Sequence, residues 1–469
     1  MTSRRHFLQT LVAAAVAGST HTRTSLASSR NPSGQAPAAE SDLLPWRNWS
    51  GSQVCHPQQR LAPESVEALQ AHLQSSGGKI RLVGAGHSFS PLATTDHTMI
   101  SLDRLNGILH TDDSTVQATI GAGTRLGRIG AQLAEQNQAM INMPDIDHQT
   151  LAGCVATATH GTGADLGCLS DNIRAMTLVT ARGEKLVCSA GENTDLLRAA
   201  QVSLGSLGAV TDITLQNTRP YRLKRVTDWL AIDDILEQAD AMADQHRNFE
   251  FYYVPFSGMG FTDTQDITEE PLSSTEILDQ NDGARDLKQA RDLLSWSPTL
   301  RRLILGSYMR LLQKEVRVSP SWQSYTSERR VRFNEMEYHL PREDWLAAFR
   351  EIRDTVEGNF PECFFPFEVR FVKGDDIWLS PFYQRDCVSI AVHRFYEEDY
   401  QPMFAALEPI FRKYGGRPHW GKLNTLTTEE ARQLYPRWDD FLALRRELDP
   451  DNRFLNPYLA QLFGVGDRS

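Results

Sequence analysis

The sequence predicts an α+β protein of more than one domain, on three observations. From Trp46 to about Leu215, short strand-like runs alternate with glycine turns and a few helices. From about Thr218 to Tyr414, the strand-like runs become aromatic-rich and are separated by helical segments. A chain of 469 residues also exceeds what one ordinary core holds, so two or three domains are expected.

In chain order, Thr2-Ser3-Arg4-Arg5-His6-Phe7-Leu8 precedes an apolar run from Leu11 to Ala17 and a small-residue Ser25-Leu26-Ala27 site. Residues 1–27 thus read as a twin-arginine export signal, with the twin-arginine export machinery as partner and the periplasm or secretion as destination. That route carries folded proteins, often with a cofactor already inserted. Residues 28–45, rich in Ser, Pro and Ala, read as a disordered leader. No other apolar run approaches the roughly 20 residues of a spanning helix, so no stable membrane span is expected.

Lys79-Ile80-Arg81-Leu82-Val83 reads as a strand ending in Gly84-Ala85-Gly86-His87-Ser88-Phe89-Ser90. Thr98–Leu102 and Thr115–Ile120 are further strands, the second running into Gly121-Ala122-Gly123. Arg125 to Gln136 places Leu126, Ile129 and Leu133 on one helical face, with Thr124 as its expected cap. Ala209 to Leu215 alternates apolar and polar residues. In the second region, Phe249–Pro255, Phe333–Leu340, Cys363–Phe371 and Cys387–Phe395 read as strands. Asp263 to Asp282 reads as an acidic surface loop, Ala284 to Leu312 as helical, and Met403 to Lys413 as an amphipathic helix stopped by Gly415-Gly416.

A formal charge of −11 with no clustered Lys and Arg argues against a nucleic-acid binder. Six cysteines in an exported chain permit disulfides without demanding them, and none forms a CxxC pair. The thirteen histidines include no HExxH, so no metal site is assigned.

Two segments carry chemistry. Glycine tolerates positive φ and lets backbone N–H groups approach an anion, so Gly84–Ser88 suits a pyrophosphate nest with an imidazole in it. An ordinary hydrogen-bonded turn has the same composition. Gln149 to Gly163 is almost entirely small or hydroxylated, which suits either backbone laid against a flat polar ligand or a tightly packed turn.

The chain resembles the vanillyl-alcohol-oxidase-type flavoproteins, in their sugar-1,4-lactone oxidase and alditol oxidase branch. The resemblance rests on ordered motifs: Gly-Ala-Gly-His-Ser-Phe-Ser (84–90), Ala-Thr-His-Gly-Thr-Gly (158–163), Ser-Leu-Gly-Ser-Leu-Gly-Ala-Val-Thr (203–211), Glu-Val-Arg (368–370) and Arg-Pro-His-Trp-Gly-Lys (417–422). Asn452 to Leu459 also fits. The resemblance implies a two-subdomain PCMH-type FAD-binding domain over 46–217, an α+β cap domain over 218–414, and a C-terminal segment, 415–469, returning to the flavin. Gly84, Ala85, Gly86, His87, Ser88, Thr150, Gly153, Thr157, His160, Gly161, Gly208 and Val210 match positions that wrap FAD in relatives. His87 matches the histidine that many relatives bond to the flavin 8α-methyl, a link that raises the flavin potential and keeps the cofactor from being lost after export.

Glu368 and Arg370 lie two apart in a strand-like run and share a face, which by itself suits a structural salt bridge. The resemblance makes them catalytic, together with His419 and Lys422, with Lys422 or His419 holding or accepting the proton of a developing alkoxide. His393 shares a strand face with Ser389 and Ala391 and is a further candidate, while Trp420 and Tyr458 read as packing residues.

The implied function is an exported FAD-dependent oxidoreductase. It would oxidise the CH–OH of a D-arabinono- or L-gulono-1,4-lactone by hydride transfer to flavin N5, with oxygen, a cytochrome or a quinone as acceptor. Met143 to Thr150 leans toward the lactone type. Alternatives are an alditol or polyol oxidase, and a non-catalytic flavin-binding protein.

Overall fold

In the computed structural model, residues 43–279 and 281–466 are described. The expected export signal, 1–27, lies outside them, as does the expected leader up to residue 42. No helix among the described residues is long and apolar enough to cross a membrane.

The glycine-turn half is built on two main sheets, beside a two-stranded pair of Trp46–Arg47 with Val54–Cys55. Ile80–Val83 and Gln59–Leu61 flank Thr98–Ser101 in a parallel three-stranded sheet. An antiparallel sheet runs in the order Lys185–Ser189, Ile173–Val179, Ala209–Thr218, Gln117–Gly121, Ile108–Asp112. The alternation in Ala209–Thr218 is realised, with Ile213 and Leu215 in the core. The helix Leu126–Glu135 buries Leu126, Ile129 and Leu133 as its spacing requires. Thr124 does not cap it, because its hydroxyl is spent upstream: it donates to the Gly121 carbonyl at 2.6 Å and accepts from the Gly107 N–H.

The second half is built on one antiparallel eight-stranded sheet. Its order is Glu315–Pro320, Arg222–Ala231, Met259–Thr268, Asn248–Val254, Phe367–Val372, Cys387–Phe395, Phe333–Pro341, Arg417–Pro418. Helices Ile232–Gln245, Trp345–Asn359 and Gln401–Lys413 cover one face. That face is apolar on each central strand: Phe249, Phe251 and Tyr253; Phe367, Val369 and Phe371; Val388, Ile390 and Val392; Met336, Tyr338 and Leu340. Since strand side chains alternate, the intervening Glu250, Glu368, Arg370, His393, Glu335, Glu337 and His339 all lie on the other face.

Three expectations need correction here. Asp263 to Thr268 is strand, not surface loop: Asp263 is buried and neutralised by Arg225 at 2.5 Å, so its polarity reports an ion pair rather than exposure. The helical run is broken in two, Asn281–Leu294 and Pro298–Met309, where the Ser297 side chain caps a new start ahead of Pro298. The strand expected from Cys363 begins at Phe367, because Phe364 and Phe365 are taken up by a separate aromatic cluster with Phe89 and Phe333. All six cysteines are buried free thiols.

The C-terminal segment packs back onto the glycine-turn half. Trp420, Tyr435, Trp438, Phe454 and Leu459 join its core, as do Ile377, Trp378, Leu379 and Phe382 from the loop after Phe367–Val372. The Ile80 N–H donates to the Arg453 carbonyl at 2.7 Å. The buried Arg81 guanidinium bonds the carbonyls of Leu92, Leu204 and Phe454, tying three loops to the first glycine turn.

Candidate active site

The turn after Ile80–Val83 is shaped by contact. Gly86 takes φ +69°, a left-handed conformation that side chains resist, and a Cβ on Gly84 would lie 2.2 Å from Thr150 Oγ1. The two glycine-rich segments therefore touch only because one residue is hydrogen-sized. Thr150 starts the short helix Leu151–Val155 and accepts from the Gly153 N–H, while Thr157 donates back to the Gly153 carbonyl at 3.2 Å. His87 is stacked between Trp49 (5.4 Å between ring centroids) and His148 (6.0 Å). Burial, helped by nearby His148 and Lys422, pushes its pKa down to about 4, so at neutral pH the imidazole is uncharged and has a lone pair.

The opposite wall comes from the uncovered face of the large sheet. Register sets Glu250 beside Arg370 and Tyr252 beside Glu368, then Glu337 beside Ala391 and His339 beside Ser389. The returning segment is threaded on this wall: the His419 N–H donates to the Glu337 carbonyl at 3.0 Å and the Leu423 N–H to the Glu335 carbonyl at 2.9 Å. Lys422 Nζ thereby meets the Glu335 carboxylate, with Glu337 at 3.9 Å.

Charge is strongly structured here. Burial alone would lower Lys422, but Glu335 and Glu337 hold it above its ordinary value, so it stays an ammonium. Burial works against Glu335, yet Lys422 and His393 keep it ionised, with a pKa of about 2. Burial likewise opposes the charge on Glu337, which His160 and Lys422 hold well below the ordinary carboxylate range. His419 is lowered to about 3 by burial, and its Nδ1 accepts the Gly421 N–H at 3.0 Å. The neutral ring thus carries its proton on Nε2 and is a donor, not a proton acceptor. His160 Nδ1 faces the Gly161 carbonyl at 2.8 Å and its Nε2 faces Glu337 at 3.0 Å.

One cleft joins the two walls. Of the residues expected to wrap FAD, all but Gly161 line it; a Cβ on Gly161 would strike the Met143 carbonyl at 2.3 Å, so that glycine serves packing. Arg370, His419 and Lys422 are on the wall. Glu368 stands behind Arg370, bonded to it and to Tyr252. His393 stands behind Glu335, edge-on to Phe333 and 3.1 Å from the Pro366 carbonyl.

A family model described as D-arabinono-1,4-lactone oxidase matches residues 213–462, and one described as FAD binding domain matches 57–189. An L-gulono-1,4-lactone dehydrogenase of Mycobacterium tuberculosis is 37% identical over 430 residues, covering 89% of this chain and 99% of the relative. The chain belongs to the D-arabinono-1,4-lactone oxidase family. An L-gulonolactone oxidase of Bos taurus is 32% identical over 89% of this chain and 98% of its own length. An alditol oxidase of Streptomyces is 30% identical over 88% of this chain and 98% of its own length. The fold is also that of a cholesterol oxidase from Brevibacterium sterolicum, at a TM-score of 0.73 over 92% of this chain and 100% of that one, with 16% identity.

Members of the D-arabinono-1,4-lactone oxidase family are FAD-dependent oxidoreductases acting on CH–OH donors, and this chain is one. Its residues fit the cofactor: the absent Cβ of Gly84 lets the two glycine-rich segments close on each other, and the backbone of Gly84 to Ser88 and the hydroxyls of Ser88, Thr150 and Thr157 line the same cleft. Sequence reading missed Asp145, Glu335 and Glu337 as wall residues, and Trp49 beside His87. A signal for two of them was present: Glu335, Glu337 and His339 recur at every second position between Phe333 and Leu340, a polar face on an otherwise apolar strand.

Proposed function

We propose that the protein is an exported flavoenzyme that oxidises a ring CH–OH of a neutral sugar-1,4-lactone of the D-arabinono or L-gulono type. The observation that carries this reading is the single cleft in which the glycine cradle faces Arg370, His419 and Lys422. FAD bound there supplies a two-electron acceptor, at N5, for the hydride of the alcohol carbon. Loss of hydride builds charge on the substrate oxygen as its proton leaves. Lys422 and His419 both offer N–H donors to that oxygen, and the carboxylates of Glu335, Glu337 and Asp145 are the proton acceptors of the wall. Oxidation beside the lactone carbonyl yields a 2-keto lactone, which enolises to an enediol.

His87 is the proposed covalent anchor through the flavin 8α-methyl. A neutral, stacked imidazole at the cleft is the state such a bond requires. Export rests on Arg4-Arg5 and the apolar run after them, and makes a tether useful where lost cofactor cannot be replaced. Oxygen, a cytochrome or a quinone takes the electrons onward. The polyol reading stays in the experiment because the Streptomyces alditol oxidase matches over nearly its full length.

The test is anaerobic mixing of the holoenzyme with a panel of sugar lactones and polyols, then reoxidation with oxygen or a cytochrome. Bleaching by a lactone supports the proposal; bleaching by polyols alone shifts it to the alditol reading; a flavin that no member bleaches overturns both.

A further inference from the structure

The loop before the glycine-rich helix leans toward the lactone type in sequence without a role for any one residue, and the structure places its Asp145 on the cleft wall with Arg370, Lys422, His419, Glu335 and Glu337. We propose that Asp145 is a specificity-determining residue that reserves the site for neutral polyhydroxylated substrates and turns away the open-chain carboxylate formed when a lactone hydrolyses. The inference rests on the sugar-lactone reading of the same cleft and names what that cleft excludes.

Asp145 is held in place from both sides. The Ser327 N–H of the cap donates to its backbone carbonyl at 2.9 Å. Its carboxylate pairs with Arg329, and with Arg370 at 3.1 Å. Both guanidiniums are also engaged by Glu368, and Arg370 by Glu250 at 3.0 Å. Lys422 is engaged by Glu335 and Glu337. The cluster therefore joins five carboxylates, Asp145, Glu250, Glu335, Glu337 and Glu368, to three cations, Arg329, Arg370 and Lys422, with His160 on Glu337 and His393 on Glu335, so that each of the three cations already has a carboxylate partner. Burial raises Glu250 to about 7, and with that group neutral Arg370 still has Asp145 and Glu368 as partners.

A sugar acid entering this cleft brings a further anion to cations that already have partners, and burying an unpaired charge is costly. A hydroxyl meets the reverse situation. The three carboxylates that line the cleft, Asp145, Glu335 and Glu337, have lone pairs beyond those used by their cations, so the site offers acceptors to neutral O–H donors. Asp145 is the group through which this balance is set from the FAD side: remove its charge and Arg370, which lines the cleft, loses a partner that a substrate carboxylate can replace. Specificity here is the penalty placed on the wrong ligand rather than an extra contact to the right one.

The experiment measures calorimetric affinity and anaerobic flavin reduction for L-gulono-1,4-lactone and sodium L-gulonate, with wild-type holoenzyme, Asp145→Asn and Asp145→Glu. The expected wild-type preference for lactone over gulonate is about 30-fold or more, a difference of about 2 kcal/mol at 1.4 kcal/mol per tenfold. Asp145→Asn narrows it to within about threefold by tightening gulonate, and Asp145→Glu keeps it. A preference unchanged in Asp145→Asn, or gulonate bound by wild type as tightly as lactone, overturns the proposal. Should Asp145→Asn lose its flavin, Asp145→Ser removes the same charge and is judged by the same ratio. Flavin that no lactone or polyol bleaches defeats the functional reading, while the affinity ratio still judges the role of Asp145.

Discussion

His160 Nε2 lies 3.0 Å from Glu337 Oε1, and this contact spans the two halves of the molecule: His160 belongs to the glycine-rich segment and Glu337 to the large sheet. With Nδ1 turned to the Gly161 carbonyl, both ring nitrogens face acceptors, so the pair is a buried, charge-assisted bond. Glu337→Gln replaces the charged acceptor of this bond with a neutral amide, a change that costs about 1.5–3 kcal/mol, the worth of a buried hydrogen bond to a charged group. The expected outcome is a lower melting temperature with an intact fold. The folded carboxylate sits below its ordinary value of 4.5. Its contribution is therefore present in full above pH 4.5 and is lost as pH falls through the folded value. Thermal melts at pH 7, 4.5 and 3.5 check this: the gap between wild type and variant narrows toward acid.

Gly84→Ala is expected to strip the protein of flavin, because its Cβ falls 2.2 Å from Thr150 Oγ1 and forces the two glycine-rich segments apart. Thr150→Ala removes the offending oxygen, so the double variant regains flavin that the single one lacks. The ratio of visible to 280 nm absorbance after gel filtration reads both.

For His87→Ala, the yellow colour and fluorescence that stay with acid-denatured wild-type chain are expected to vanish, while the native variant binds FAD dissociably. Folding keeps His87 neutral down to about pH 4, below the value of 6.5 it has unfolded. Its linkage contribution is thus present in full above pH 6.5 and is lost as pH falls from 6.5 to about 4. Cofactor content measured after dilution at pH 7 distinguishes a tether from a contact.

Lys422→Met is expected to lower kcat about 100- to 1000-fold, the loss typical of one charge-stabilising donor, with little change in flavin content. Stopped-flow flavin reduction under anaerobic conditions measures it. A substrate-binding role alone would appear in KM and spare kcat.

The turn chemistry was legible because it is local. Gly86 admits the positive φ of its turn without steric cost, and the alternation of Ala209–Thr218 reports one buried face. Asp263 was misread because an ion pair with Arg225, from a strand far away in sequence, makes a buried carboxylate look like surface. Asp145 stayed silent for the same reason, since its partners Arg329 and Arg370 are distant in the chain.

Sequence alone determined the α+β class, the glycine cradle with His87 beside it, and the pairing of Glu368 with Arg370 on one strand face, since each depends on φ preference or on the two-residue period of a strand. Tertiary structure decided the protonation and roles of the wall: Lys422 stays charged because two glutamates of one strand flank it, His419 becomes a donor because the Gly421 N–H occupies its other nitrogen, and Glu368 falls behind Arg370. Those outcomes depend on burial and on charges brought together from remote parts of the chain, which no local pattern encodes.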